Sequence, residues 1–438
     1  YGNWGLENST IPSSIGNLQN LKELNLNYCQ LTGAIPESLW SLSNLEFLEL
    51  SSNSLSGSIP ASIGELIKLN TFIIDNNQIT GVIPTEILSL PELNYLNLNY
   101  NDFTAAPMPD FSQLTKLQSL YIERCNFTGS IPSSLLQMSN LRHLGISNNP
   151  FDAAPMPDFS QLSNLQTLVA YGCNFSGNLP QSLFSLTQLN YLNIQNNQLT
   201  GLIPSQFGNM INLSSLYLSN NQFTGEIPAE IGSLANLFFL SLANNQLNGS
   251  IPAEIGNCTN LYDLNLSYNQ LSGELPAQLG QLTNLRYLYL YGNRYQHINL
   301  EAIMDWDNFS GFYNLNYSNQ QNVGTEKTVM LPEGSSFVFE IDGYTPSPND
   351  VYQWYKDESP IDGANQVSYT ISNISTNEQG WYKCQINNTV TTALTLYSNP
   401  ITLLVGSIGL VGSFNNWGAV PDVPFTHDNS NINRWYLD

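Results

Sequence analysis

At 438 residues the chain is long enough for two or three domains, each with its own core. Eleven Lys and Arg against 34 Asp and Glu give a formal net charge of -23, which argues against nucleic acid as a partner because phosphate binding needs clustered cations. Only 10% of the residues are charged, so Asn, Ser, Thr, Gln and Tyr must build the polar surface, a balance more usual outside cells than in the cytosol.

From its first residues the chain repeats itself. The unit Leu-x-x-Leu-x-x-Leu-x-Leu-x-x-Asn-x-Leu-Thr-Gly-x-Ile-Pro begins at Leu18 and returns at Leu42, Leu66, Leu90, Leu114, Met138, Leu162, Leu186, Met210, Leu234, Cys258 and Leu282, always in steps of 24. Alternation across Leu24 and Leu26 predicts a short strand, and Gly33 with Pro36 predicts the turn behind it. One such unit cannot bury its apolar face, but stacked units can. The expectation is a solenoid over residues 1–297, a horseshoe or superhelix whose parallel strands line a concave sheet. At roughly 4.8 Å per strand, the sheet is on the order of 50 Å long.

Side chains alternate across a strand, so the positions between the leucines face the concavity. They place Phe47, Tyr95, Tyr191, Phe239 and Tyr287 in one column and Tyr121, Tyr217 and Tyr289 in the next, with Tyr171 and Tyr291 extending it. Asn97, Asn193, Gln195 and Asn265 lie among them. Such rings combine contact area with a hydroxyl handle, which makes this face the candidate site for a protein or glycan partner. The competing reading is that Tyr and Phe are good strand formers that stack between coils.

This pattern resembles the leucine-rich repeat family, in its 24-residue subtype with Leu-Thr-Gly-x-Ile-Pro, over roughly residues 6 to 300. The resemblance implies that the Asn of each unit turns inward and bonds the backbone of adjacent coils. That slot reads Cys29, Asn53, Asn77, Asn101, Cys125, Asn149, Cys173, Asn197, Asn221, Asn245, Asn269 and Asn293. Slot cysteines at least two coils apart lie roughly 10 Å from one another, beyond the roughly 7 Å that a disulfide allows, so they are expected to be structural thiols. Cys258 replaces a core Leu.

Two units depart from the pattern. "NDFTAAPMPDFSQL" from Asn101 and "NPFDAAPMPDFSQL" from Asn149 stand 48 residues apart, as a duplicated pair of coils would, and their prolines predict a different lateral edge. A silent duplication is favoured over a binding role for these loops.

Residues 298–325 are expected to form a cap and linker with a helix-like stretch around Leu300 to Trp306. Short β-rich runs then fill 326–405. There "NEQGWYKC" resembles the immunoglobulin-like signature, with Glu378 in place of Asp, Trp354 at the core position and Tyr382 two before Cys384. The resemblance implies a β-sandwich with a tyrosine corner. The partner cysteine is missing, since "SFVFEI" offers Phe and Ile. Residues 406–438, with "IGLVGSFNNWG" and "RWYLD", resemble the opening of a starch-utilisation outer-membrane lipoprotein module, a glycan-binding β-sandwich. That resemblance implies an α-glucan partner, with Trp417 as the candidate contact; a core role for Trp417 and Trp435 is the competing reading.

Catalytic and cofactor chemistry is not expected. His143, His297 and His427 are scattered, and no metal-ligand or nucleotide-binding spacing is present. Glu46, Glu49 and Asp75 are read as solvated carboxylates rather than a glycoside-hydrolysing pair. The longest apolar run, Ile401 to Val411, is too short to span a bilayer, so no transmembrane segment is expected. The leading expectation is a non-enzymatic bacterial surface or secreted recognition protein. The alternatives are a plant-type receptor ectodomain or glycanase inhibitor, and the accessory region of a polysaccharide-degrading enzyme.

Overall fold

The computed structural model describes residues 8–306 and 311–406, and the backbone of 425–427 and 435–437. Two compact units divide it: one runs to Asn293 and resumes over Ala302–Tyr317, and the other comprises Arg294–Glu301 and the chain from Ser318 onward.

In the first unit a three-residue strand appears at Glu23–Asn25 and returns once per repeat through Tyr287–Tyr289. Leu24 stands opposite Leu48, and every later pair is parallel in the same register. Asn314–Asn316 adds a last strand beside Tyr287–Tyr289, making a sheet of 13 strands in chain order without a crossover. The middle residue of each strand points inward: Leu48, Leu96, Leu192 and Leu264 are fully buried, and Phe72 takes that place once, edge-on to Trp40 at 6.3 Å.

The chain leaves each strand through one residue in left-handed backbone, such as Asn76 (φ 53°), Asn196 (φ 55°) or Tyr268 (φ 52°). Asn tolerates this conformation and predominates there. The next residue is the inward Asn. Asn221 shows its work: its amide donates to the carbonyls of Ile194 at 3.1 Å, Leu218 at 3.1 Å and Ser219 at 3.3 Å, and its oxygen accepts from Leu199 N at 3.0 Å. These buried backbone groups would otherwise lack partners. Cys125 and Cys173 supply only the donor half, with Sγ 3.3 Å from Leu98 O and 3.5 Å from Ile146 O. All five cysteines are free and buried, and burial pushes the Cys258 thiol up to about 11 and the Cys384 thiol up to about 12.

Behind the strands, short 3-10 turns such as Glu37–Ser41 follow the repeat proline. They stack closely enough that a Cβ on Gly232 would lie 2.1 Å from Glu254 O, which is why glycine stands there. The lateral edge is broken into three parallel sheets, starting at Thr32–Ala34, Ala106–Pro107 and Ala154–Pro155. The two breaks fall at the two "AAPMPDF" loops, where the prolines predict an altered edge. Each loop buries its Met and Phe, Met108 with Phe111 and Met156 with Phe159, and its Asp accepts from a backbone N–H two residues on. At the end of this unit, Trp306 packs on Gly280.

In the second unit the expected helical stretch is an α-helix at His297–Glu301, continued by a 3-10 turn at Ala302–Asp305 that belongs to the first unit. His297 is fully buried; its Nε2 donates to Ile386 O at 3.2 Å, which leaves Nδ1 to accept from the Thr391 hydroxyl at 2.6 Å. Glu301 accepts from Asn388 at 2.7 Å and Asn349 at 3.2 Å. A six-stranded sheet follows the order Lys327–Leu331, Ile401–Val405, Gly380–Asn388, Asp350–Lys356 and Ser359–Pro360, with Leu396–Tyr397 also on Gly380–Asn388. Phe337–Phe339 and Tyr369–Ile371 pair antiparallel. Phe339 lies 4.2 Å from the Tyr382 ring and 6.0 Å from Trp354. The Tyr382 hydroxyl donates to Glu378 O at 2.6 Å.

Near the end of the chain, Phe425–His427 and Trp435–Leu437 pair antiparallel. Trp417 lies outside the described residues.

Candidate functional site

The concave columns fall where strand alternation puts them. Tyr95, Tyr191, Phe239 and Tyr287 share one register line, and Tyr121, Tyr217 and Tyr289 share the line two residues on. All ten expected aromatics, including Phe47, Tyr171 and Tyr291, are half-buried.

The ten do not form one surface. Tyr95 and Tyr121 pair at 5.6 Å, while the Tyr171 hydroxyl meets that of Tyr100 at 3.2 Å and Arg124 lies over the Tyr100 ring at 5.6 Å. Phe47 belongs to neither group. From Tyr191 onward the rings form an unbroken series: Tyr191 to Tyr217 at 5.6 Å, Tyr217 to Phe239 at 6.3 Å, Phe239 to Tyr262 at 6.4 Å, Tyr262 to Tyr287 at 5.5 Å, Tyr287 to Tyr289 at 6.3 Å and Tyr289 to Tyr291 at 6.3 Å.

Sequence reasoning missed four members of this band. Phe238 stacks on Tyr262 at 4.8 Å, Tyr313 meets Tyr287 at 5.8 Å, and Tyr268 meets Tyr291 at 5.0 Å. Phe238 and Tyr262 occupy the position just before the strand, and Tyr268 the left-handed position after it. Both positions repeat every 24 residues, so the signal was present outside the strand itself.

Polar groups are set among the rings. Tyr191, Asn193, Gln195, Tyr217, Phe239, Ser241, Asp263 and Asn265 surround a cleft of about 330 Å³. The side-chain oxygens of Asn193 and Asn265 accept backbone N–H bonds from Gln195 at 3.2 Å and Ser267 at 3.1 Å. The Asn193 side chain also bonds the Tyr191 phenol, whereas the Asn265 amide N–H has no partner among the described residues. Burial pushes the Tyr217 phenol up to about 12, so it remains a donor at neutral pH.

The carboxylates of this face are unequal. Glu49 accepts from Asn25 at 2.6 Å and Asn27 at 3.0 Å, Asp75 from Asn97 at 3.0 Å, and Glu123 from Asn99 at 3.3 Å. Glu46, grouped with Glu49 and Asp75 on sequence grounds, is instead paired with Lys22 at 2.9 Å on the exposed side. Asp263 has no hydrogen-bond or ion-pair partner for its carboxylate among the described residues, and burial pushes it up to about 6. The nearest cation in sequence, Arg286, is turned away: it donates to Thr283 O at 2.7 Å and lies over the Tyr313 ring at 5.9 Å. On the strand positions the only basic residue is His143, which burial holds below its usual range. The face is therefore acidic.

Among the described residues there is no group of His, Cys, Asp and Glu able to hold a metal, and no helix long and apolar enough to cross a membrane.

A parallel-stranded solenoid with a polar, ring-lined inner face is the architecture of a leucine-rich repeat binding module. A model described as a leucine-rich repeat region matches residues 6–153, 103–237 and 150–340, and the chain belongs to that family. No curated protein matches it. Among solved structures, a TDR receptor is 31% identical with a TM-score of 0.64, over 74% of this chain and 56% of that one. The Arabidopsis receptor kinase HAESA, in complex with the peptide hormone IDA and the co-receptor SERK1, is 32% identical with a TM-score of 0.60, over 73% of this chain and 53% of that one. An internalin from Listeria monocytogenes shares the fold at 23% identity and a TM-score of 0.57, over 71% of this chain and 84% of that one. This chain thus spans little more than half the length of the two receptors. Neither the family nor these structures indicate an enzyme class.

Proposed function

We propose that the protein is a non-enzymatic recognition module of a secreted or cell-surface protein, and that it binds an extended polypeptide along the concave band from Tyr191 to Tyr291. The observation that carries this reading is the unbroken series of rings, interleaved with the side-chain amides of Asn193 and Asn265. Rings give contact area at low entropy cost, and amides suit peptide carbonyls. The likeness to a receptor kinase captured with a peptide hormone supports a peptide over a glycan. The second unit is read as an immunoglobulin-like spacer, supported by the buried Trp354 and the Tyr382 to Glu378 bond. A glycan-binding role for Trp417 rests on sequence resemblance alone.

The test is alanine replacement of Tyr191, Tyr217 and Tyr287 together, followed by selection from a random twelve-residue peptide library. The wild type should enrich related peptides and the triple variant should not, with circular dichroism unchanged. Equal enrichment by both would place the site elsewhere.

A further inference from the structure

We propose that the cleft around Asp263 is a subsite for a single cationic side chain, Lys or Arg, carried by the bound polypeptide. This rests on the reading of the concave face as a peptide-binding surface and adds the chemistry of one position on it.

The argument begins with a contrast. Three other carboxylates on this face, Glu49, Asp75 and Glu123, are each held by Asn side chains of neighbouring coils. Asp263 is half-buried and has no such donor, although the same face supplies Asn at many positions. A half-buried carboxylate without a partner loses hydration and recovers nothing within the protein. The cation that could have satisfied it, Arg286, is committed to Thr283 O and the Tyr313 ring. An incoming cation would recover that energy.

The walls suit the same guest. Tyr191, Tyr217 and Phe239 line the cleft with Asp263. Ring faces attract a cation while packing its aliphatic stem. A volume of about 330 Å³ admits a side chain of that size and leaves no room for a folded domain. Asn193 and Asn265 stand on the same walls, placed to hold the peptide backbone on either side of the anchor. The overall charge of -23 works in the same direction by attracting basic segments.

The experiment compares the intact chain with Asp263→Asn, which keeps side-chain size and removes the charge, in selection from the same random twelve-residue library. The wild type is expected to enrich peptides with Lys or Arg at one fixed position, and the variant to enrich peptides without that preference. For the best wild-type peptide, changing its Lys to Gln or changing Asp263 to Asn should each weaken binding about ten- to a hundredfold, and the two together should cost no more than one. The wild type should also bind that peptide about tenfold more weakly at pH 5 than at pH 7, because protonation of the free carboxylate competes with the cation. The other titratable groups around Asp263 are phenols, and burial pushes those of Tyr191, Tyr217, Tyr262 and Tyr289 upward, away from this window. A shared Lys or Arg preference in wild type and variant overturns the subsite while leaving the peptide reading intact. Failure of the wild type to enrich any peptide overturns both.

Discussion

Tyr268 stands in left-handed backbone (φ 52°), where Asn76, Asn148, Asn196, Asn220 and Asn244 serve other coils. A side chain other than Gly, Asn or Asp pays for that conformation, so Tyr there is a cost to folding. It is 47% exposed and its ring meets Tyr291 at 5.0 Å, at the margin of the aromatic band. Folding therefore prefers Asn, and under the proposed reading recognition prefers Tyr. Tyr268→Asn should raise stability by about 0.5 to 1 kcal/mol in urea unfolding and weaken binding of a selected peptide by about threefold or more. Loss of stability would mean that the ring contact outweighs the backbone term. Such residues were only partly legible in the sequence. The strand columns follow from alternation, whereas Phe238, Tyr262 and Tyr268 lie just outside the strand, where exposure depends on how each coil turns. Asp263 was harder still, since its significance comes from donors that its neighbours withhold.

At the scale of a coil, the spine explains where cysteine is used. Asn197 accepts from Cys173 N and Phe175 N, both at 3.0 Å, and donates to Ala170 O at 2.9 Å, so it satisfies groups on both sides. Cys173 follows the second "AAPMPDF" coil. There Phe151 N is already bonded to Asn149 O at 2.8 Å, which removes the donor that an Asn at 173 would need for its oxygen. A thiol, which needs only an acceptor, fits. We therefore expect Cys173→Asn, although it restores the repeat consensus, to destabilise the protein by about 1 to 3 kcal/mol through a buried, unsatisfied carbonyl. Chemical denaturation tests this, and a neutral or stabilising change would refute the explanation. The sequence disclosed the duplication and the altered edge through its prolines. It did not disclose the link between loop and cysteine, because that link runs through a single backbone N–H between coils.

Across the first unit, a repeat that builds its core from one residue pattern leaves the inner face free to vary, and here the variation is not uniform. The first coils carry acid–amide pairs, Glu49 with Asn25 and Asp75 with Asn97, whereas the later coils carry the ring series and Asp263. The recognition surface we propose is thus concentrated between Tyr191 and Tyr291. The 24-residue period made the solenoid legible from end to end, since each coil repeats the same burial problem. The division of labour along it was not legible, because columns record direction and not contact. The most direct test of the central claim is fluorine NMR of protein labelled with 3-fluorotyrosine, titrated with a lysine-containing peptide from the library. The account predicts that the Tyr191, Tyr217, Tyr287 and Tyr289 signals move together while that of buried Tyr382 stays fixed. Movement confined to Tyr95, Tyr121 and Tyr171, or to tyrosines of the second unit such as Tyr397, would contradict it.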